Sequence, residues 1–153
     1  MTHFVWSKEY ELGIDVIDHQ HMRIIDYINR VYEALNSGAD ESTQNEILTG
    51  LMDYTFSHLA FEEAMLEEVD YQDLSAHKLS HKAFTELVNH LQQSAKEGRA
   101  VGAELANLLQ NWLIAHIMVE DAKYVPAVKT LLLKEDGVVH HGWLREAVTR
   151  YFQ

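Results

Sequence analysis

The chain has 153 residues, 47% of them hydrophobic, which is enough to build one domain around a packed core. Its formal net charge of −12 argues against binding to nucleic acid or to an anionic membrane surface, since both need a cationic patch. It contains no cysteine, which excludes disulfides, iron–sulfur clusters and thiolate-ligated zinc and makes a reducing, cytoplasmic location the expectation.

The first ten residues, MTHFVWSKEY, carry no basic segment followed by an apolar run, so no secretory signal is expected. No stretch is long and apolar enough to span a bilayer, so no membrane insertion is expected either. The single proline, Pro126, and the few glycines predict a helical protein. The first predicted helix runs from about Asp18 to Leu35, with Ile24, Ile28, Val31 and Leu35 in one apolar row. The second runs from about Glu41 to Glu67, with Ile47, Leu51, Thr55 and Met65 in step. The third runs from about Asp73 to Lys96 on Leu74, Phe84, Val88 and Leu91. The fourth runs from about Ala100 to Tyr124 on Leu105, Leu109, Trp112 and Val119. Short connections rich in turn and cap residues make neighbouring helices antiparallel. The expected fold is all-α: an up-down-up-down four-helix bundle with a short C-terminal helix. One domain is expected over residues 1–153, with a core bundle at about 18–124, an N-terminal arm at 1–17 and a C-terminal extension at 125–153.

Histidine is abundant, at 10 residues, and its placement is more informative than its number. His21 is in register with Ile24 and Ile28. His58 follows Leu51 and Thr55, with Glu62 one turn on. His77 and His81 are in register with Leu74, Phe84 and Val88, and His116 follows Leu109 and Trp112. In an up-down bundle, the starts of the first and third helices and the ends of the second and fourth lie at the same end. All these side chains are therefore expected at one level.

A lone histidine on an apolar face is usually a core residue with a hydrogen-bond partner. Five converging imidazoles cannot all be protonated without repelling one another, and a metal relieves that conflict by taking their lone pairs. Five exceed what one tetrahedral zinc uses. With two carboxylates they suit a pair of metals, and nitrogen and oxygen ligands without thiolate suit iron. Manganese and zinc also fit this donor set.

The stretches IDHQH (17–21), HLAFE (58–62), HKLSH (77–81) and HIMVED (116–121) resemble the signature of the hemerythrin family in its bacterial single-domain form. They occur in order, one per helix, and the resemblance covers roughly Trp6 to Tyr124. It implies that His77, His81 and His116 hold one iron, that His21 and His58 hold the other with a position left open, and that Glu62 and Asp121 bridge the two together with an oxo or hydroxo group. It also implies reversible binding of dioxygen at the open iron, in a pocket lined by residues such as Ile24, Leu59, Trp112, Leu113 and Ile117.

One implied ligand conflicts with helical periodicity. His58 and Glu62 are four apart and face the same way. His116 and Asp121 are five apart, about 140° off on a regular helix, and periodicity alone selects Glu120. Following the family pattern predicts a distortion of the fourth helix near Val119–Asp121, of π type, with the helix ending near Pro126. His3, His19, His90, His140 and His141 are expected not to be ligands, and the other acids in the run from Glu62 to Asp70 are expected to form a solvated face. The amphipathic segment from Gly142, through Trp143, Leu144, Ala147, Val148 and Tyr151, is expected to pack on the bundle.

Two classes of function compete. One is an oxygen-binding module for storage, delivery or sensing, which is not an enzyme and would serve a separate oxygen-using enzyme or signalling protein. The other is a di-iron enzyme reducing oxygen, peroxide or nitrogen oxides. Oxygen-activating bundles carry paired Glu-x-x-His motifs in a carboxylate-rich set. This sequence has no such pair, and its imidazole-rich set favours binding.

Overall fold

A computed structural model describes residues 4–131 and 138–152 of the chain. Every regular element among the described residues is helical: α1 (Asp15–Asn36), α2 (Glu41–Glu68), α3 (Leu74–Lys96), α4 (Gly102–Ala115), a π-helical segment (His116–Asp121), α5 (Ala122–Leu131) and α6 (Val138–Phe152), preceded by a 3₁₀ turn at Lys8–Tyr10. No helix among them is long and apolar enough to cross a membrane. Helix α1 packs on α2 and α4, α3 also packs on α2 and α4, and α6 lies against α2. The first four helices thus close into the expected four-membered bundle.

The three turns between them share one device. After α1, α2 and α3 the chain enters the left-handed region at Gly38 (φ 68°), Asp70 (φ 54°) and Gly98 (φ 94°). The next residue then bonds back across the last turn: Ala39 N–H to Ala34 O, Tyr71 N–H to Leu66 O and Arg99 N–H to Ser94 O, at 3.0, 3.0 and 3.1 Å. This Schellman arrangement satisfies carbonyls that the helix end leaves free and reverses the chain within a few residues. Asp40 starts α2 by accepting the Thr43 N–H at 2.8 Å, an N-cap.

The N-terminal arm is tied along α1. Leu12 N–H and Gly13 N–H donate to the two oxygens of buried Asp18 at 2.9 and 3.0 Å. Farther along, Asn29 exchanges two hydrogen bonds with the Phe4 backbone, and the Phe4 ring joins the core.

The core is split into two apolar clusters. The larger includes Ile24, Ile28, Leu51, Phe84, Leu109 and Leu113. The smaller includes Ile17, Phe61, Met65, Leu66, Tyr124 and Val128, and α6 completes it with Ala147, Trp143, Leu144, Val148 and Tyr151. On α1 the order is Ile17, His21, Ile24, and along α4, the π segment and α5 it is Leu113, His116, Asp121, Tyr124. The buried polar residues therefore form a layer between two apolar slabs.

Helix boundaries follow the periodic pattern closely, with one correction. The helix does not end near Pro126 but continues through it to Leu131. An interior proline costs about 3 kcal/mol. Tyr124 and Val128 flank it and are both fully buried, and burying two such side chains returns roughly 1.5–3 kcal/mol each. Tertiary burial outweighs the local break.

Candidate metal centre

The buried layer contains His21, His58, Glu62, His77, His81, His116 and Asp121, none more than 2% exposed. Each reaches it through the helical register expected, except on the fourth helix. There the backbone adopts π geometry from His116, three residues before the expected distortion, with Ala122 N–H bonded to Ile117 O. An i→i+5 turn carries residues five apart to the same face. Asp121 consequently lies fully buried beside His116, with Oδ1 2.8 Å from His116 Nε2, while Glu120 is only half-buried.

The potential donor atoms fall into two overlapping groups. Glu62, His77, His81 and His116 form one, and His21, His58, Glu62 and Asp121 form the other; within each group the donor atoms lie within 4.8 Å of one another. The two carboxylates connect them. Glu62 Oε1 lies 2.6 Å from His77 Nε2, 2.9 Å from His81 Nε2 and 3.1 Å from His116 Nε2, while Oε2 is 3.6 Å from His58 Nε2. Asp121 Oδ1 faces His116 at 2.8 Å and His77 at 3.4 Å, while Oδ2 faces His21 at 3.2 Å. Glu62 Oε1 thus faces all three of His77, His81 and His116, and Asp121 Oδ1 faces two of them, while the other oxygens of the two carboxylates face His58 and His21.

This arrangement fits cations better than hydrogen bonds. His21 Nε2, His58 Nε2 and both Asp121 oxygens are buried without a properly aligned hydrogen-bond partner, although Asp121 has imidazole nitrogens within 3.2 Å. Atoms that approach closely yet are misaligned are aimed at a common point rather than at each other. Two donors at right angles around a cation, each about 2.1 Å from it, stand about 3.0 Å apart. His81 Nε2 and His116 Nε2 are 3.0 Å apart.

Charge reinforces the fit. Burial opposes ionisation of Glu62 and Asp121, yet the imidazoles around them hold Glu62 well below the usual carboxylate range and Asp121 at about 2. Burial also disfavours protonated His77 and His116, but the negative charges of Asp121 and Glu62, and the hydrogen bonds His77 and His116 donate to Glu62 Oε1, outweigh it, raising them to about 9 and about 10. Burial dominates at His58 and pushes it down to about 3. Without metal, the two buried carboxylates are therefore balanced by protons on His77 and His116.

The sign of the resulting pH dependence is definite. Unfolded histidine titrates near 6.5, so the stabilisation from His77 and His116 is complete below that value and is lost as pH rises through about 9 and about 10. The melting temperature of metal-free protein should fall between pH 8 and pH 10. A ligated imidazole carries no proton at its donor nitrogen, so metal uptake should release protons and tighten as pH rises; calorimetry in buffers of different ionisation enthalpy measures this.

Three neighbours complete the site. Fully buried Tyr124 donates its hydroxyl to Glu62 Oε2 at 2.9 Å. Burial, Asp121 and Glu62 push its pKa well above the usual 10, so it remains a donor. His58 Nδ1–H donates to Gln20 Oε1 at 2.7 Å and His81 Nδ1–H to Glu63 Oε2 at 2.9 Å. Sequence reasoning did not single out Gln20 or Tyr124, and it placed Glu63 on a solvated face. Gln20 was detectable as an amide in register with Ile17 and Ile24. Tyr124 lies just past the π segment, and its bond to Glu62 joins residues 62 apart in sequence.

The expected pocket residues Ile24, Leu59, Leu113 and Ile117 are at most 4% exposed and belong to the larger cluster beside the polar layer. Partly buried Trp112 stacks on His116, with centroids 4.3 Å apart and planes at 16°, and on Phe84 at 4.0 Å. His19 and His90 are exposed. His3 lies outside the described residues, as do the side chains of His140 and His141.

The chain is similar to known proteins over nearly its whole length. The profile of the hemerythrin HHE cation binding domain matches residues 12–128. A bacteriohemerythrin of Pseudomonas aeruginosa (strain LESB58) is 39% identical over 155 residues, covering 99% of this chain and 99% of that protein. A bacteriohemerythrin of Stenotrophomonas maltophilia (strain R551-3) is 36% identical over 154 residues, again with 99% of each chain covered. Myohemerythrin-1 of Phascolopsis gouldii is 27% identical over 121 residues, 79% of this chain and 91% of that protein.

Proposed function

This chain belongs to the hemerythrin family, and from that premise we propose that it binds dioxygen reversibly at a pair of iron ions without turning it over. The carrying observation is the division of donors: Glu62 is shared by one set with His77, His81 and His116 and another with His21, His58 and Asp121, and Asp121 Oδ1 reaches across to His116 and His77. His77, His81 and His116 would hold one iron and His21 and His58 the second, with Glu62 and Asp121 between the two sets available to both. The side with two imidazoles offers one histidine fewer than the other, so it is the side that would leave room for the gas. Held by these residues, a pair of irons would supply the electrons that reversible dioxygen binding needs.

The chain's own residues provide the setting. Ile24, Leu59, Leu113 and Ile117 supply an apolar wall beside the polar layer that keeps water from it and slows side reactions, while Trp112 packs on His116 and His81 of the three-imidazole half. Tyr124 holds Glu62 through a hydrogen bond and keeps its proton there. The 153 residues act as one domain in the cytoplasm, with the arm and α6 closing the bundle around its polar layer. A separate oxygen-using enzyme or signalling protein receives or reads the bound gas.

The test is a metal count followed by oxygen cycling. Two irons per chain are expected. The visible spectrum of anaerobically reduced protein should change on adding oxygen and return on removing it. Sustained consumption of oxygen under continuous reductant, well above slow autoxidation, would instead identify an enzyme.

A further inference from the structure

In each of the two donor sets, one imidazole makes an outer hydrogen bond, and the two acceptors differ in charge. His58, in the two-imidazole set, donates from Nδ1 to the neutral amide oxygen of Gln20 at 2.7 Å. His81, in the three-imidazole set, donates from Nδ1 to the carboxylate of Glu63 at 2.9 Å. Neither Gln20 nor Glu63 belongs to the proposed ligand set. Each adjoins a member of it in sequence, Gln20 before His21 and Glu63 after Glu62.

Their environments explain the difference. Gln20 is 4% exposed and faces the sealed layer that already holds Glu62 and Asp121. A third carboxylate there would need a further counter-charge. The Glu63 side chain is 30% exposed and borders a surface cleft of about 440 Å³ shared with Leu59, Lys78, His81 and Lys82. Water and the nearby ammonium groups can support its charge.

An acceptor on the outer nitrogen fixes the imidazole tautomer and strengthens its donation to a metal. An ionised acceptor does so more strongly than a neutral one, because charge-assisted hydrogen bonds are roughly twice as strong. We infer that Gln20 and Glu63 are positioning residues that make the two halves of the centre electronically unequal. Glu63 enriches the three-imidazole half through His81 and favours its oxidised state. Gln20 orients His58 without adding charge, so the open half is the more readily reduced. This inference rests on the di-iron reading above.

Gln20→Glu and Glu63→Gln are near-isosteric and change the acceptor charge in opposite directions. Both are to be made in the full-length chain and loaded with iron, and iron per chain counted before midpoint potentials are titrated. Gln20→Glu should lower the potential by at least the ~59 mV that represents a tenfold change for one electron, and Glu63→Gln should raise it comparably. In Mössbauer spectra each variant should perturb the doublet of a different iron. Two irons in every protein with unmoved potentials, or shifts of the same sign, overturn the inference alone. A wild-type chain lacking two irons overturns the underlying reading first. If Gln20→Glu loses iron or does not fold, Glu63→Gln, at the solvent edge, decides: a raised potential supports the inference and an unchanged one overturns it.

Discussion

Glu62→Gln should leave both halves of the centre without iron while the helices stay formed. Glu62 is the one residue common to both donor groups, and its two oxygens face opposite sets. Oε1 has three imidazole nitrogens within 3.1 Å, and Oε2 also accepts the Tyr124 hydroxyl. An amide places an N–H₂ donor where one of these oxygens stood and cannot bridge two cations. Loss of an outer-shell partner typically weakens metal binding about 10–100-fold, and loss of a bridging ligand should exceed the upper end of that range. Iron per chain after desalting, with far-UV circular dichroism on the same sample, gives the answer. His90→Ala, at an exposed position on α3, should retain the full metal content. Full iron in Glu62→Gln would contradict the bridging assignment.

Phe61→Ala should cause the largest loss of stability without touching a proposed ligand. Phe61 is fully buried on α2, next to Glu62 in sequence but on the face turned towards α6. Its ring lies 6.1 Å from Trp143, 6.3 Å from Tyr151 and 5.8 Å from Phe152. Truncating a fully buried phenylalanine costs about 3–5 kcal/mol. For a chain of this size that is roughly 6–20 °C in melting temperature. The damage falls on the smaller apolar cluster, which covers one side of the metal layer, so iron should also be lost faster to an external chelator. Leu79→Ala, at a site 67% exposed, should stay within about 0.5 kcal/mol of wild type. Equal effects from the two variants would show that α6 does not seal the bundle.

Much of this protein is legible in its sequence, because burial in a helix repeats with the helical period. Ile24, Ile28, Leu51, Phe84 and Val88 appear as core from spacing alone, and each is at most 1% exposed. The same period places His21, His58, His77 and His81 on inner faces. Short connections make the helices antiparallel, which sets the imidazoles at one level before any coordinate is known. Side-chain type and helical register thus determined the all-α bundle, the polar layer within it and the class of donor atoms.

The remaining features required the folded chain, because they depend on contacts between segments distant in sequence. Regular periodicity points to Glu120; the family resemblance points to Asp121 and a π distortion, and the folded chain fixes that distortion at His116–Asp121. Burial of Tyr124 and Val128 carries the helix through Pro126 despite its missing N–H. The pairings of His58 with Gln20 and His81 with Glu63 span 38 and 18 residues. Local patterns report which face of a helix is inward. Only packing against the other helices decides how a backbone bends to satisfy that face and which buried polar atoms meet.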